Sequence, residues 1–364
     1  MKLKDIGIYF QNLIPNSMQE SYDNSGWQVG NLEDDFKGVL FSLDCTEEII
    51  DEAIRKNCNL IVCHHPVIFN GLKKLTGSNY VEKTIIKALK NNIGIFTIHT
   101  NSDNWNNGVN FKIAEKLNLN NVKILAPKKD VLKKIIFFTP IADVEKVRNA
   151  LFEAGAGNIG NYDNCSFNLE GLGSFRGNDA SNPIKGKKGE VHFEKETRVE
   201  MIFSEHRKSS IIKALLTTHP YEEVAYDIYS LDNYNQEEGA GAIGELEVEI
   251  DEKEFLSLIK AKFNVPCIKH TALLNKKIKK VAICGGTGSF LLKNAINCNA
   301  DIFISSDFKY HQFFDAEKKI IIADIGHYET EQFTSELFYD LFKKNFTNFA
   351  AYISDTNTNP VNYF

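Results

Sequence analysis

The chain has 364 residues, 43% hydrophobic and 25% charged, with a formal net charge of -6. That is the profile of a soluble globular protein of two or three domains. The acidic balance argues against a nucleic-acid binder that neutralises phosphate, and no apolar run approaches the ~18–20 residues of a membrane span. Seven cysteines, none in a Cys-x-x-Cys pair, point to a reducing compartment. Met1-Lys2-Leu3-Lys4-Asp5 lacks the apolar core of a secretion signal, so the expected location is cytoplasmic.

The first part alternates strand and helix signals. Gly38 to Leu43 reads as a strand, and Thr46 as the N-cap of a helix through Arg55, with Glu47 and Glu48 in its first turn. Leu60-Ile61-Val62-Cys63 is a continuous apolar strand of the parallel, buried kind. A helix over Val81 to Lys90 and a strand over Ile93 to Ile98 continue the alternation. This predicts a layered α/β lobe over residues 1–130. Sites in such sheets form beyond the carboxyl ends of the strands, where His64, His65, His99 and Asp103 fall.

Residues 131–234 read as a separate α+β insert. Lys134 to Phe138 is a strand, and Asp143 to Ala154 an amphipathic helix with Val144, Val147 and Leu151 on one face. After a Gly/Asn-rich stretch come the strand Arg198 to Phe203, a helix from Glu205 to Leu216 and the strand Val224 to Tyr229. The order β-α-β-β-α-β predicts a ferredoxin-like unit. Lys185-Gly186-Lys187-Lys188 reads as a solvated loop within it. Residues 235–364 return to α/β. Lys280 to Cys284 is a strand, Gly285 to Ser289 a turn, Phe290 to Ile296 a helix, and His327 opens a final long helix.

The chemistry concentrates in three segments. Ile61-Val62-Cys63-His64-His65-Pro66 ends an apolar run on two imidazoles, and in extended backbone adjacent side chains point to opposite sides. His99-Thr100-Asn101-Ser102-Asp103 ends another run. His327 and Glu331 are one helical turn apart and share a face. Together they offer ligands for two divalent ions, with Asp103 and Glu331 able to bridge. An ion pair of this kind polarises a substrate oxygen and lowers the pKa of a shared water to about 7. Mixed imidazole and carboxylate ligands suit zinc, iron, manganese or nickel. Two bridging carboxylates cancel only part of the metal charge, which favours a small anionic molecule as substrate.

Blander readings compete. His327 and Glu331 alone make a surface ion pair, and His64 and His65 alone a turn bonding backbone groups. His219 and Glu223 share the four-residue spacing, but Pro220 excludes a helical pair. His311 and Asp315 are either supporting partners or a polar helix face. Cys63 reads as core. The Gly-rich turn is a tight turn first and a phosphate contact second, lacking the Lys of a phosphate loop and the third glycine of a dinucleotide fingerprint. Asp23-Asn24-Ser25-Gly26 forms either a loop at the site rim or a turn entering a strand.

His64-His65-Pro66-Val67-Ile68-Phe69, His99 to Asp103 and Gly326 to Glu331 resemble the signature motifs of the Nif-three-like dinuclear metal-centre proteins, also known as GTP cyclohydrolase I type 2 homologues. Asp23-Asn24-Ser25-Gly26 and Cys284 to Ser289 resemble two further motifs of that family. His219-Pro220-Tyr221-Glu222-Glu223 is similar to the PII/CutA-like insert of its longer members. The resemblance implies two metals held by His64, His65, Asp103, His327 and Glu331, and a toroidal homohexamer. It implies a hydrolase acting on a nucleotide-like or other anionic substrate, or alternatively a metal carrier or sensor without turnover. His99 is the candidate proton relay, placed behind the ligands. Two departures from the family pattern, Ser305-Ser306-Asp307 and Asn107-Gly108, are expected to touch no ligand.

Overall fold

The continuous apolar runs become parallel strands buried on both faces. In the computed structural model, which describes residues 1–364, Gly38–Ser42, Leu60–Cys63 and Gly94–Thr97 lie side by side in parallel. Every residue in them is buried. Gly26–Val29 closes one edge antiparallel, and Ala350–Ile353, from the far end of the chain, closes the other in parallel.

A second sheet of six strands has the order Lys269–His270, Ile321–Asp324, Ile302–Ser306, Lys277–Thr287, Asn235–Asp251, Asn120–Lys128. Its centre, from Ile321–Asp324 to Lys277–Thr287, is again parallel. The two sheets exchange helices. Val109–Lys116, which precedes the insert, packs Val109 and Ile113 into the core of the second sheet. Thr334–Asn345, near the C-terminus, packs Phe338 and Phe342 against Phe10, Phe41 and Phe96 of the first. Both rings are fully buried, a contribution of roughly 1.5–3 kcal/mol each. Both sheets therefore belong to one unit, Met1–Ala126 with Glu238–Phe364, while Pro127–Glu237 forms a second.

The insert has four antiparallel strands in the order Phe167–Phe175, His192–Ser204, Leu132–Pro140, Tyr226–Leu231. The helices Val144–Glu153 and Lys208–Thr218 cover one face, with Val147, Leu151, Ile211 and Leu215 packed on Ile135, Phe137, Val199 and Met201. This is the ferredoxin-like arrangement that the element order predicts. No helix of the chain is long and apolar enough to cross a membrane.

Three expectations need correction. The final helix is not continuous. His327–Glu331 is one short helix and Thr334–Asn345 another. The strand expected to stop at Cys284 runs on through Thr287, so Gly285 and Gly286 are strand residues rather than a turn. The next helix begins late, with a 3-10 turn Ser289–Leu291 before Leu292–Asn297.

Candidate metal centre

The proposed ligands sit where the two parallel sheets present their carboxyl ends. His64 and His65 follow Leu60–Cys63, and both of their N–H groups donate to the Leu43 carbonyl at 3.0 Å. That bends the backbone out of the extended form, so the two rings are only 5.0 Å apart and both face the cleft. Asp103 ends the short helix Thr100–Asp103, just beyond the strand Gly94–Thr97. His327 and Glu331 begin and end the helix His327–Glu331, entered through Gly326 at φ 101°.

Of three groups whose ligand atoms lie within 4.8 Å of one another, two include a carboxylate: His65, His327 and Glu331 in one, His64, Asp103 and Glu331 in the other. Glu331 is common to both. Its Oε2 lies 2.9 Å from His65 Nε2 and 3.1 Å from His327 Nε2, and those two nitrogens are 3.3 Å apart. Donors bound tetrahedrally at ~2.0–2.1 Å are roughly 3.3 Å apart, so this trio has the spacing of ligands on one ion. Glu331 Oε1 faces the other group, 3.8 Å from His64 Nε2, and Asp103 Oδ1 is 3.6 Å from the same nitrogen. His64 is fully buried, and its Nδ1 bonds the Ile98 carbonyl at 2.9 Å. That leaves its Nε2, like Asp103 Oδ1, buried without a hydrogen-bond partner. Two unpartnered buried acceptors facing each other are costly unless a cation stands between them. The residues present fit divalent metal.

The remaining space is shaped for these side chains. Gly286 has φ +60°, and a Cβ there would stand 2.4 Å from Glu331 Oε1. Its N–H donates to Thr330 Oγ1 at 2.9 Å, and its carbonyl accepts from Ser305 and Ser306 hydroxyls at 3.0 and 2.6 Å. The Gly-rich segment is therefore a seat for Glu331 rather than a phosphate loop.

A carboxylate stands behind three of the imidazoles. His65 Nδ1 bonds Asp44 Oδ1, His327 Nδ1 bonds Asp307 Oδ2 and His99 Nδ1 bonds Asp23 Oδ1, each at 2.7 Å. Such partners fix the ring and direct Nε2 at the ion. Asp44 escaped the sequence reading. Asp307 was expected to touch no ligand, and it touches His327. The available signal is position, since each follows a strand of the parallel set by one or two residues, as His64 and His65 do. Asp23 lies in a loop at the rim of the site, just before the strand Gly26–Val29, and holds His99 there.

Without metal, the charges rearrange around these contacts. Burial pushes the His65 pKa down, but Asp44 and Glu331 outweigh it and raise it to about 10. His327 is likewise lowered by burial and carried up to about 11 by Asp307 and Glu331. Burial pushes Glu331 up, yet the hydrogen bonds from His327 and His65 and the charge of His65 hold it well below the carboxylate range. Asp103, buried and repelled by Glu331, is raised well above it.

His99 joins the cluster's edge. Its ligand atom lies within 4.8 Å of those of His64 and His65, and its ring is 5.1 Å from the ring of His64. His311 and Asp315 do not support the site. They lie on the 3-10 segment Tyr310–Ala316, where His311 packs against Tyr310 and Phe314. His219 closes a helix and bonds the Phe138 carbonyl, as a structural residue of the insert. Cys63 is core, and all seven cysteines are free. A cavity of about 370 Å3 opens on His65 and His327, lined also by Asp44, Tyr328, Val361 and Tyr363.

The whole architecture has known relatives. The chain is 37% identical over 360 residues to the GTP cyclohydrolase 1 type 2 homolog of Bacillus subtilis, covering 97% of this chain and 96% of that protein. It is 38% identical over 320 residues to the protein of the same name from Halalkalibacterium halodurans, covering 87% and 86%. The crystal structure of a Bacillus cereus protein related to NIF3 superposes with a TM-score of 0.86 at 35% identity, over 100% of this chain and 99% of that one. Staphylococcus aureus protein SA1388 gives 0.78 at 30%, with the same coverage. The family model for Duf34/NIF3 (NGG1p interacting factor 3) matches residues 1–360, and the chain belongs to that family.

Proposed function

We propose that the chain is a dinuclear metal-dependent hydrolase, with His64, His65, Asp103, His327 and Glu331 as ligands. The observation that carries this reading is the single carboxylate of Glu331 reaching two donor groups at once, with His64 Nε2 and Asp103 Oδ1 left unpartnered beside it. When bound, two such ions polarise a substrate oxygen and acidify a water. The protein's own part is orientation. Asp44 and Asp307 hold His65 and His327 with Nε2 forward. His99, backed by Asp23 and adjoining both His64 and His65, is placed to move a proton.

The relatives' name supports cyclohydrolase chemistry as the first reaction to test, and a nucleotide-like or other anionic molecule as the first substrate class. Charge alone supports the anion less than the ligand set suggested. Two divalent ions bring four positive charges. Asp103 and Glu331, with Asp44, Asp307 and Asp23 one hydrogen bond further out, bring five negative ones. Hexameric assembly belongs to the same proposal and is read by sedimentation.

The test combines composition with turnover. Elemental analysis of the purified protein should give two metal equivalents, with fewer in H327A and E331A. GTP, phosphoesters and uncharged cyclic amides are then offered to zinc-, iron-, manganese- and nickel-loaded protein. Two bound equivalents with no turnover of any substrate would reject the hydrolase and leave a metal-holding protein.

A further inference from the structure

The carboxylates behind the imidazoles are themselves held, and in one recurring way. Asp44 accepts from His65 Nδ1 on Oδ1 at 2.7 Å and from Thr358 Oγ1 on Oδ2 at 2.5 Å. Asp307 accepts from His327 Nδ1 at 2.7 Å and from Thr287 Oγ1 at 2.5 Å. Asp23 accepts from His99 Nδ1 at 2.7 Å and from the Thr100 hydroxyl. Three separate parts of the chain thus build the same relay of threonine, aspartate and imidazole around one cluster.

We infer that Thr358 and Thr287 are positioning residues for the metal centre, acting on His65 and His327 through Asp44 and Asp307. The inference rests on the metal-centre reading above. A carboxylate with one bonded oxygen turns freely about its Cβ–Cγ bond. A second bond on the other oxygen, or a second donor on the same one, fixes its plane. Asp44 and Asp307 need this, because their side chains are 31% and 47% exposed and water competes for them. A fixed carboxylate keeps the proton on Nδ1 and leaves the Nε2 lone pair for the ion.

Thr358 is the telling member. It lies in the irregular segment that follows the strand Ala350–Ile353. A segment without a strand or helix ladder is placed by its side-chain and turn contacts. Here Glu52, 2% exposed, accepts from Ser354 Oγ at 2.6 Å, Asp355 N at 2.9 Å and Thr356 Oγ1 at 2.6 Å. Asn359 Nδ2 then donates to Glu329 at 3.1 Å. The anchors flank Thr358 on both sides and set its hydroxyl on Asp44. The same segment carries Val361 and Tyr363 into the wall of the cavity beside His65. The C-terminal segment is thereby part of the site, although it contributes no ligand.

The experiment uses zinc release from the full chain. Protein loaded with zinc is mixed with excess chelator carrying a colour readout, and the release rate is followed without any substrate. T358V and T287V replace a hydroxyl by a methyl at nearly constant volume. Each should speed release about tenfold, in the range found when partners of metal-binding imidazoles are removed. T358S and T287S, which restore the hydroxyl, should return the parent rate. The cobalt-loaded T358V protein should show a shifted visible absorption band that T358S does not. S354A, which removes one anchor of the segment and keeps the Thr358 hydroxyl, should release zinc more slowly than T358V. Parent-like release from T358V and T287V overturns the inference, and so does release from S354A as fast as from T358V. Because no turnover is measured, an inert but zinc-binding protein sinks the hydrolase and not the relay. A parent chain that retains no zinc sinks the metal centre and the relay together.

Discussion

Gly286→Ala probes how tightly the centre is seated. An alanine Cβ would sit 2.4 Å from Glu331 Oε1 and 3.2 Å from His327 Cε1. Ordinary contact begins near 3.4–3.5 Å, so one partner must move by roughly 1 Å. The backbone of Gly286 is bonded to Thr330, Ser305 and Ser306, so the carboxylate of Glu331 is the part that yields. Two costs add. A non-glycine residue at φ +60° costs about 1–2 kcal/mol, and the overpacking about 1–3 kcal/mol. The sum is about 2–5 kcal/mol. At about 2 °C per kcal/mol for a chain of this size, the melting temperature should fall by roughly 4–10 °C. A 1 Å displacement also exceeds the ~0.5 Å tolerance of a ligand constellation, so bound metal should drop below the parent stoichiometry. Calorimetry and elemental analysis read both. Gly71→Ala, with nothing within 4 Å of its built Cβ, is the control and should change neither. A G286A protein with parent stability and full metal would refute the claim that this glycine exists to seat Glu331.

Other outcomes follow from the same contacts. At pH 7 the metal-free protein carries protons on His65 and His327, with pKa values of about 10 and 11, so zinc binding should release up to two protons per chain from them, read by calorimetry in buffers of different ionisation enthalpy. Those raised values also set a stability window for the metal-free protein: the contribution is complete below the ordinary imidazole pKa of about 6.5 and is lost as pH rises through about 10 to 11, so its melting temperature should fall over that interval. Glu52 behaves oppositely. Burial raises its pKa, but Lys56, Ser354, Thr356 and the Asp355 amide outweigh it and lower it to about 2. Its hold on the C-terminal segment is therefore complete above about 4.5 and lost as pH falls toward 2, and hydrogen exchange at Asp355 and Thr356 should accelerate there. Asp103→Asn should lose metal while keeping the melting temperature of the metal-free parent, and a large loss of stability would make Asp103 a structural residue instead.

The parallel strands were legible because burial on both faces leaves a run such as Leu60-Ile61-Val62-Cys63 with no polar alternation. The ferredoxin-like insert was legible from its element order, although its edge strand Phe167–Phe175 lies in the stretch that reads only as rich in Gly and Asn. What escaped were elements whose pattern is set by distant partners. Asn235–Asp251 is a 17-residue strand rich in Glu and Gly, a composition with weak strand preference, and pairing with Lys277–Thr287 supplies what propensity does not. The crossing of helices between the two sheets was equally hidden. Nothing local in Leu337-Phe338-Phe342 says that these rings pack on strands nearly 300 positions earlier. The break after Glu331 has a similar origin, since one short helix serves the site and the next serves a different core.

The site divides along the same line. His64, His65, Asp103, His327 and Glu331 stood out as candidate ligands because they lie near strand ends and at helical spacing. Their supports did not stand out, because a carboxylate behind an imidazole needs only one hydrogen bond and can come from anywhere in the chain. Asp44 is 21 residues from His65, and Asp307 is 20 from His327. Yet a rule connects them. A ring that gives Nε2 to a cation must give Nδ1–H to an acceptor, and acceptors near the carboxyl end of a parallel sheet are the side chains that follow neighbouring strands. Asp44 follows Gly38–Ser42, and Asp307 follows Ile302–Ser306. Both strands adjoin the one that delivers the imidazole: Gly38–Ser42 pairs with Leu60–Cys63, and Ile302–Ser306 with Ile321–Asp324. His64 tests the rule from the other side. Its strand has a second neighbour, Gly94–Thr97, and there the acceptor is not a carboxylate but the Ile98 carbonyl just past that strand's end. A neutral acceptor does not raise the imidazole's affinity for a proton as a carboxylate does. Burial accordingly keeps the His64 pKa below its ordinary value while His65 and His327 are raised. The metal-free centre therefore asks one proton of the group containing His64, from the raised Asp103 carboxyl, and two of the other, from His65 and His327. The group containing His64 should fill first as pH rises, and the His65 and His327 group should follow. Titrating cobalt into the protein at pH 6 and at pH 9 would show two steps at the lower pH and would refute this ordering if both sites filled together there.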